Sequence, residues 1–374
     1  MKNKKFLYAL TTLVGMIIGV GIFGIPYAVA QAGFLIGVFY FGLLAGAVLL
    51  IHLLYGEIVL RTPGQHRLVG YGEKYLGAFG KKATGAIIIF EFYGAMLVYI
   101  IAGGHFLNLI FGGGDNLWAM IFFAFGALLI LLGLRFISLS ELFMTIFLIM
   151  IPIAFIIKGA PLWHFVNLSK INWAKFFLPY GVILFSLTGG AAIPEMRQIL
   201  GNDEPKLKKA IVLGTLIPAV LYLLLVLAIL GLTGDSTTEN ALDGLTAIFG
   251  RSTVIVGSVF GFLAVFSSFL VLGLNLRRVF WLDYKLNRFL AWVLACFAPL
   301  AIYLLGVNNF IFVIGLVGAL AGGLEGIIII LIWQKAKKAG ERRPEYSLKI
   351  GRIILYGLIL LFVLGIIYQL VYLF

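Results

Sequence analysis

Sulfur and charge are both scarce in this chain. Of 374 residues only one is a cysteine, and 11% are charged, against roughly 25% in an ordinary soluble domain. The lone Cys296 lies inside an apolar run, which excludes an internal disulfide and a multi-cysteine metal site. Histidine is equally sparse: His52, His66, His105 and His164 are scattered. There is no His/Asp cluster, no glycine-rich phosphate loop after a strand and no metal-ligand spacing, so nothing supports an enzyme. Acidic residues number 15 against 28 basic ones, a net charge of +13. That balance does not point to nucleic acid, because the basic residues sit in short clusters between apolar runs, as loop charges do in membrane proteins.

Apolar residues make up 62% of the chain and the mean hydropathy is +1.11. A soluble protein of this composition would expose large apolar patches, so lipid is the solvent. The opening Lys2, Lys4 and Lys5 before an apolar run resemble a signal peptide. The run is too long for one and no convincing cleavage site follows, so it reads as a first spanning helix. A span needs roughly 20 mostly apolar residues. Eleven such segments are predicted, over 6–31, 34–60, 83–111, 117–134, 139–158, 175–199, 207–233, 253–279, 288–305, 309–333 and 350–373. With the N-terminus in the cytoplasm, only Lys158, Lys170, Lys175 and Arg251 of the 28 basic residues fall outside. The outer loop 234–252 is acidic instead, with Asp235, Glu239 and Asp243. This is the asymmetry the positive-inside rule requires.

Two spans differ from the rest. The first contains GMIIGVGIFGIP, with Gly15, Gly19, Gly21, Gly24 and Pro26. The sixth contains FSLTGGAAIPEM, with Gly189, Gly190 and Pro194. Glycine loosens a helix and proline removes a backbone donor. Close helix packing explains such glycines in a single helix. Here both segments carry Ile-Pro, and each opens a block of five spans. Five is odd, so the second block enters the membrane from the opposite side. Broken helices at matching places in two inverted halves point to a transporter site at the midplane.

The residues GVGIFGIPYAVAQAGF, 19–34, resemble the first helix of the amino acid/auxin permease group and of related aromatic amino-acid permeases. These belong to the amino acid–polyamine–organocation superfamily with its LeuT-type fold. The close motif match is confined to helices 1, 6 and 8, although helix order matches along essentially the whole chain. The resemblance implies an all-α integral membrane protein forming one transmembrane domain over 1–374. Inverted repeats would lie at about 6–158 and 175–333, with an extra helix at 350–373. It also implies a cation-coupled amino-acid transporter of the cell membrane. Its partners would be an amino-acid substrate, a coupling cation and the bilayer, with no nucleic acid and no cofactor beyond the ion.

The same resemblance assigns residues. Backbone amides of Val20 and Gly21 would hold the substrate carboxylate, since free amides at a half-helix N-terminus attract an anion. Carbonyls of Ile17, Phe185 and Ser186, with Thr188 nearby, would hold the ammonium. Phe23 joins this set, and the Phe185 ring would cap the substrate. Gly189, Gly190 and Ala191 stand where bulky walls could be. Either the site has room for a large neutral or aromatic side chain, or a neighbouring helix fills the space. A sodium ion would take carbonyls of Gly15, Ile18 and Ala264 and the hydroxyls of Ser267 and Ser268. Proton-coupled relatives can place a lysine from helix 5 in this space; the fifth span here has none before Lys158 at its outer end, which favours sodium. Glu91, Glu195 and Glu325 are intramembrane acids and candidate proton carriers. Glu57 and Glu141 lie near the cytoplasmic interface, where ion pairs with Arg61 and Arg135 are expected. His52 and His105 are expected to make structural hydrogen bonds. A divalent-metal transporter of the same fold should carry Asp, Asn, Met or Cys in the breaks, and these hold glycine and small hydroxyl residues instead.

Overall fold

The computed structural model describes residues 2–133, 150, 153, 154, 156, 157, 159–241 and 243–373. Its secondary structure there is helical throughout. Thirteen helices carry the description: α1 (Lys2–Ile17), α2 (Gly21–Ala32), α3 (Phe34–Arg61), α4 (Leu68–Phe111), α5 (Asp115–Leu132), α6 (Leu178–Leu187), α7 (Ile193–Leu200), α8 (Leu207–Thr233), α9 (Arg251–Arg278), α10 (Arg288–Leu304), α11 (Phe310–Val317), α12 (Gly323–Ala339) and α13 (Arg352–Leu373).

Among the described residues, seven helical stretches are long and apolar enough to cross a membrane, or eight with the bent pair α1–α2 counted as one. One stretch, Leu178–Ser236, runs through both the sixth and seventh expected spans, and the ninth is the shorter helix Arg288–Leu304. Every expected span except the fifth therefore has its helix. Most of 139–158 lies outside the described residues, as do Arg135, Glu141 and Lys158. Helix α4 starts earlier than the expected 83, because a further helical segment from Leu68 joins it across a kink at Gly77 (φ 67°, ψ −153°), a backbone conformation open mainly to glycine.

Both anticipated breaks are present. Helices α1 and α2 meet at a 53° bend over residues 18–20. Pro26 is not in this break but inside α2. The sixth span parts after Leu187 and resumes through a 3₁₀ turn, Gly190–Ala192, with Pro194 at the start of α7. A proline in the first turn costs no hydrogen bond. Thus the glycines mark the breaks, and the prolines sit where a helix tolerates them or loses one rung.

The tenth span carries a third irregularity. Helices α11 and α12 are joined by a π-helical turn, Gly318–Gly322. Its glycines let backbones touch. A Cβ on Gly318 would collide with the Gly181 carbonyl of α6 and lie 2.7 Å from the Phe185 amide nitrogen. One on Gly181 would fall 2.8 Å from the Gly315 carbonyl carbon. Small residues allow this approach where lipid supplies no hydrophobic drive between helices.

Charges gather at the bundle end where the chain starts. Glu57 is fully buried. It accepts from Arg61 at 2.7 Å, Trp333 Nε1 at 2.9 Å, Ser347 Oγ at 2.9 Å and the Leu348 amide at 2.8 Å. Glu204 bonds Arg197 Nε at 2.7 Å and also Arg342. Arg197 in turn donates to the carbonyls of Val59 and Thr62 at 2.7 and 2.9 Å. Segment 341–348 is thereby strapped across the ends of α3, α7 and α12. Burial alone would raise the Glu204 carboxyl, but hydrogen bonds from Arg342 and Arg197 outweigh it and hold the group at about 2, below its ordinary 4.5. A depressed carboxylate contributes stability above its unfolded value and loses it as pH falls toward the folded one. The contribution of Glu204 to the strap is therefore full above about pH 4.5 and is lost as pH falls from there toward about 2.

Gly318→Ala should lower the thermal midpoint in detergent, by an amount equivalent to ~1–3 kcal/mol, the usual cost of overpacking. Gly46→Ala, where an added Cβ meets nothing within 4 Å, should be neutral. Equal midpoints for the two variants would rule out the backbone contact between the sixth and tenth spans.

Candidate functional site

A helix leaves its last four carbonyls and first four amides without internal partners, and in hydrocarbon each costs several kcal/mol unless satisfied. At the first break, Ile18 N donates to Val14 O at 2.8 Å, Ile22 N to Gly19 O at 3.3 Å and Phe23 N to Val20 O at 3.2 Å. The Ile17 carbonyl accepts from the Tyr222 hydroxyl at 2.7 Å, and the Gly19 amide lies against the same hydroxyl. Among the described residues, this leaves the carbonyls of Gly15, Met16 and Ile18 and the amides of Val20 and Gly21 without a backbone partner. Space beside Gly19 is open, since an added Cβ there would meet nothing within 4 Å.

At the second break the hydroxyls turn back on their own helix. Ser186 Oγ donates to Val182 O and Thr188 Oγ1 to Phe185 O, both at 2.7 Å. The Thr188 amide reaches Leu184 O at 3.2 Å and Phe185 O at 3.4 Å. The Phe185 carbonyl is thus engaged, while that of Ser186 accepts no backbone bond among the described residues.

The two breaks face one another. A Cβ on Gly21 would lie 2.7 Å from Ser186 Cβ and 3.0 Å from its Cα. One on Gly189 would lie 2.6 Å from Ile17 Cγ1 and 3.3 Å from Leu13. Ile17, Gly21, Ser186 and Gly189 therefore form one contact, with the buried Val20 beside it. Neighbouring side chains occupy the space next to Gly189. Phe23 is buried and stacks edge-on against Phe106, ring centres 4.9 Å apart.

Gly190 faces the other way. Glu325 Oε1 lies 3.2 Å from where its Cβ would be, with Tyr55 and His52 next. His52, Thr188, Gly190 and Glu325 line a cavity of about 20 Å3, room for about one water. An amino acid does not fit there. His52 Nδ1 bonds Thr215 Oγ1 at 2.9 Å, the structural role expected of it. Glu325 and Glu91 lie close enough for their charges to interact, and neither has an ion-pair partner among the described residues. Glu195 stands apart, exposed in the first turn of α7.

On α9, Ser267 Oγ donates to the Ala264 carbonyl at 3.0 Å, and Ser268 lies beside the Tyr99 hydroxyl. Gly15 and Ile18 belong to the first span, at the break that Tyr222 ties. At the opposite end of the bundle from the strap, His105 is no lone histidine. Its Nδ1 meets Asp115 and its Nε2 meets Asp243, both at 3.1 Å. Only an imidazolium donates from both ring nitrogens, so this clasp joins α4, α5 and the acidic loop as an ion triad.

The sequence reading missed Tyr222, Tyr99 and the tenth-span glycines. One signal was there. Gly214, Pro218 and Tyr222 recur every fourth residue of the seventh span, a single helix face. Gly214 admits Leu13 of α1 to 2.8 Å from its Cβ position.

A helical membrane bundle with two discontinuous spans meeting at its centre defines a transporter of the LeuT-type fold. Solved structures agree on that fold. MhsT in complex with L-phenylalanine aligns with a TM-score of 0.68 at 17% identity, covering 98% of each chain. Inward-facing Mhp1 aligns at 0.67 and 16% identity, covering 98% of this chain and 88% of that one. The chain belongs to the tryptophan/tyrosine permease family, whose model matches residues 2–371. Curated relatives include glutamine transporter 2 of Aliivibrio fischeri, 22% identical over 96% of this chain and 99% of that protein. The low affinity tryptophan permease of Proteus vulgaris is 24% identical over 95% and 92%. Tyrosine-specific transport system 1 of Haemophilus influenzae is 25% identical over 94% and 92%. The aromatic-permease part of the expected resemblance is thereby met, and the relatives are transporters, not enzymes.

Gly21→Ala should cost both uptake and folding, because the added carbon runs into Ser186 backbone as well as side chain. Adding Ser186→Gly removes the side-chain half of that collision and should recover part of the lost thermal midpoint. A Gly21→Ala protein as stable as the wild type would mean that the two breaks do not pack as described.

Proposed function

We propose that this chain imports amino acids across the cell membrane by alternating access, in symport with a cation, and that large neutral or aromatic side chains are its preferred cargo. The observation that carries this reading is the pair of unpaired amides, Val20 and Gly21, at the start of a half-helix, against the second break at Ser186. Such amides favour a carboxylate, and nearby carbonyls suit an ammonium. The amino-acid names of the curated relatives support the cargo class, with tryptophan, tyrosine and glutamine all among them.

Sodium is the proposed coupling ion, held by carbonyls of Gly15, Ile18 and Ala264 with the hydroxyls of Ser267 and Ser268. Neutral oxygens suit a hard monovalent cation. Proton coupling is the second reading, favoured by Glu91 and Glu325, two neighbouring acids without a basic partner among the described residues. Like charges in a low-dielectric site cannot both ionise readily. The exposed Glu195 is the weaker proton carrier.

Uptake into proteoliposomes, with a panel of labelled amino acids and with or without a sodium gradient, tests the function. Aromatic amino acids should accumulate only when sodium is supplied. Ser267→Ala with Ser268→Ala keeps helix propensity and removes two of five oxygens. The sodium concentration for half-maximal uptake should rise about tenfold or more, since ~1.4 kcal/mol is a factor of ten. Uptake that ignores sodium and follows an inward proton gradient would replace sodium by the Glu91–Glu325 reading. The orientation proposed is N-terminus inside. In a Cys296→Ala background, Lys338→Cys should react with an impermeant reagent only from the cytoplasmic side, and labelling from outside would overturn that topology.

A further inference from the structure

We infer that Tyr222 is a positioning residue that keeps the first helix broken and so holds the Val20 and Gly21 amides ready for a carboxylate. The inference rests on the transport reading for its purpose and on hydrogen-bond geometry for its substance. In an unbroken helix the Ile17 carbonyl would accept from the amide four residues on, Gly21. Here its donor is the Tyr222 hydroxyl at 2.7 Å. The Gly19 amide, within the break, lies near the same oxygen. One phenol therefore stands in for a backbone donor at the end of α1.

Location makes this substitution matter. Tyr222 is 0% exposed, so water cannot take over this bond. It projects from α8, which packs on both α1 and α2. Pro218, one turn earlier, sits inside α8 and removes the rung to Gly214, where the helix lies against Leu13. Thr215 of the same stretch bonds His52. Without the hydroxyl, Ile17 keeps a buried unpaired carbonyl. Its nearest remedy is the Gly21 amide, and that bond would close the helix and remove the amide from the site. With the hydroxyl in place, Ile17 still has a second lone pair for a substrate ammonium.

Tyr222→Phe deletes one oxygen and tests this. Backbone hydrogen exchange across residues 17–24, measured on the substrate-free protein, should slow as the helix closes. The apparent affinity for the transported amino acid should fall at least tenfold, with maximal velocity changed much less. Gly19→Ala, which fits the open space beside Gly19 and favours helix, should deepen both effects when combined with Tyr222→Phe. A purely structural role predicts a lower thermal midpoint with unchanged affinity and faster exchange. That outcome, a variant that fails to fold, or affinity within twofold of the wild type would each overturn the inference. The exchange measurement needs no substrate. If the wild type carries no amino acid but Tyr222→Phe still slows exchange, the transport reading fails while the positioning role survives.

Discussion

An unpaired peptide group in hydrocarbon has nowhere to turn, and the centre of this protein is organised around that constraint. Two spans give up their regular ladder, and of the orphaned groups some are matched by a side chain while others have no backbone partner among the described residues. At the first break Tyr222 takes the Ile17 carbonyl. At the second, Thr188 folds its hydroxyl and amide back onto the preceding turn. What remains are two amides and a few carbonyls around Gly21 and Ser186. These are groups of opposite polarity at one contact, as a zwitterionic cargo would require.

Glycine makes that contact. Helices in lipid gain little from burying apolar surface against one another, so close backbone approach and dispersion hold them. Gly21 lets the first break meet Ser186, and Gly189 lets the second meet Ile17. The tenth span repeats the device with Gly315 and Gly318 against Gly181 of α6. Its π turn, a feature frequent at functional sites, ends one residue before α12, which carries Glu325 in its first turn. The same span therefore braces the sixth and delivers an acid behind its break.

Among the described residues, ion pairs lie at the ends of the bundle. Glu57 and Glu204 tie segment 341–348 to the ends of three helices, and the His105 triad ties the acidic loop at the other end. Ion pairs there are less costly than in the middle, since the interface is wetter. Between the two sets of ties, the cavity behind the second break admits about one water.

Hydropathy and composition alone determined the membrane class, the order of the described spans and the two broken helices, because a span is a local property of about twenty residues and glycine acts on its own backbone. The Glu57–Arg61 pair was legible for the same reason, being four residues apart on one helix. The motif at 19–34 also carried the family. Tertiary structure decided the rest. It set the breaks at 18–20 and 188–192, away from Pro26, because a proline early in a helix loses few bonds. It joined His105 to two acids far apart in the chain, filled the space beside Gly189 with Ile17, and brought Tyr222 to a carbonyl 205 residues away. Such partners are chosen by how helices lean on one another, and no local pattern encodes the lean. Only the Gly214–Pro218–Tyr222 face hinted at it, because small and kinked positions show where one helix can come close to the next.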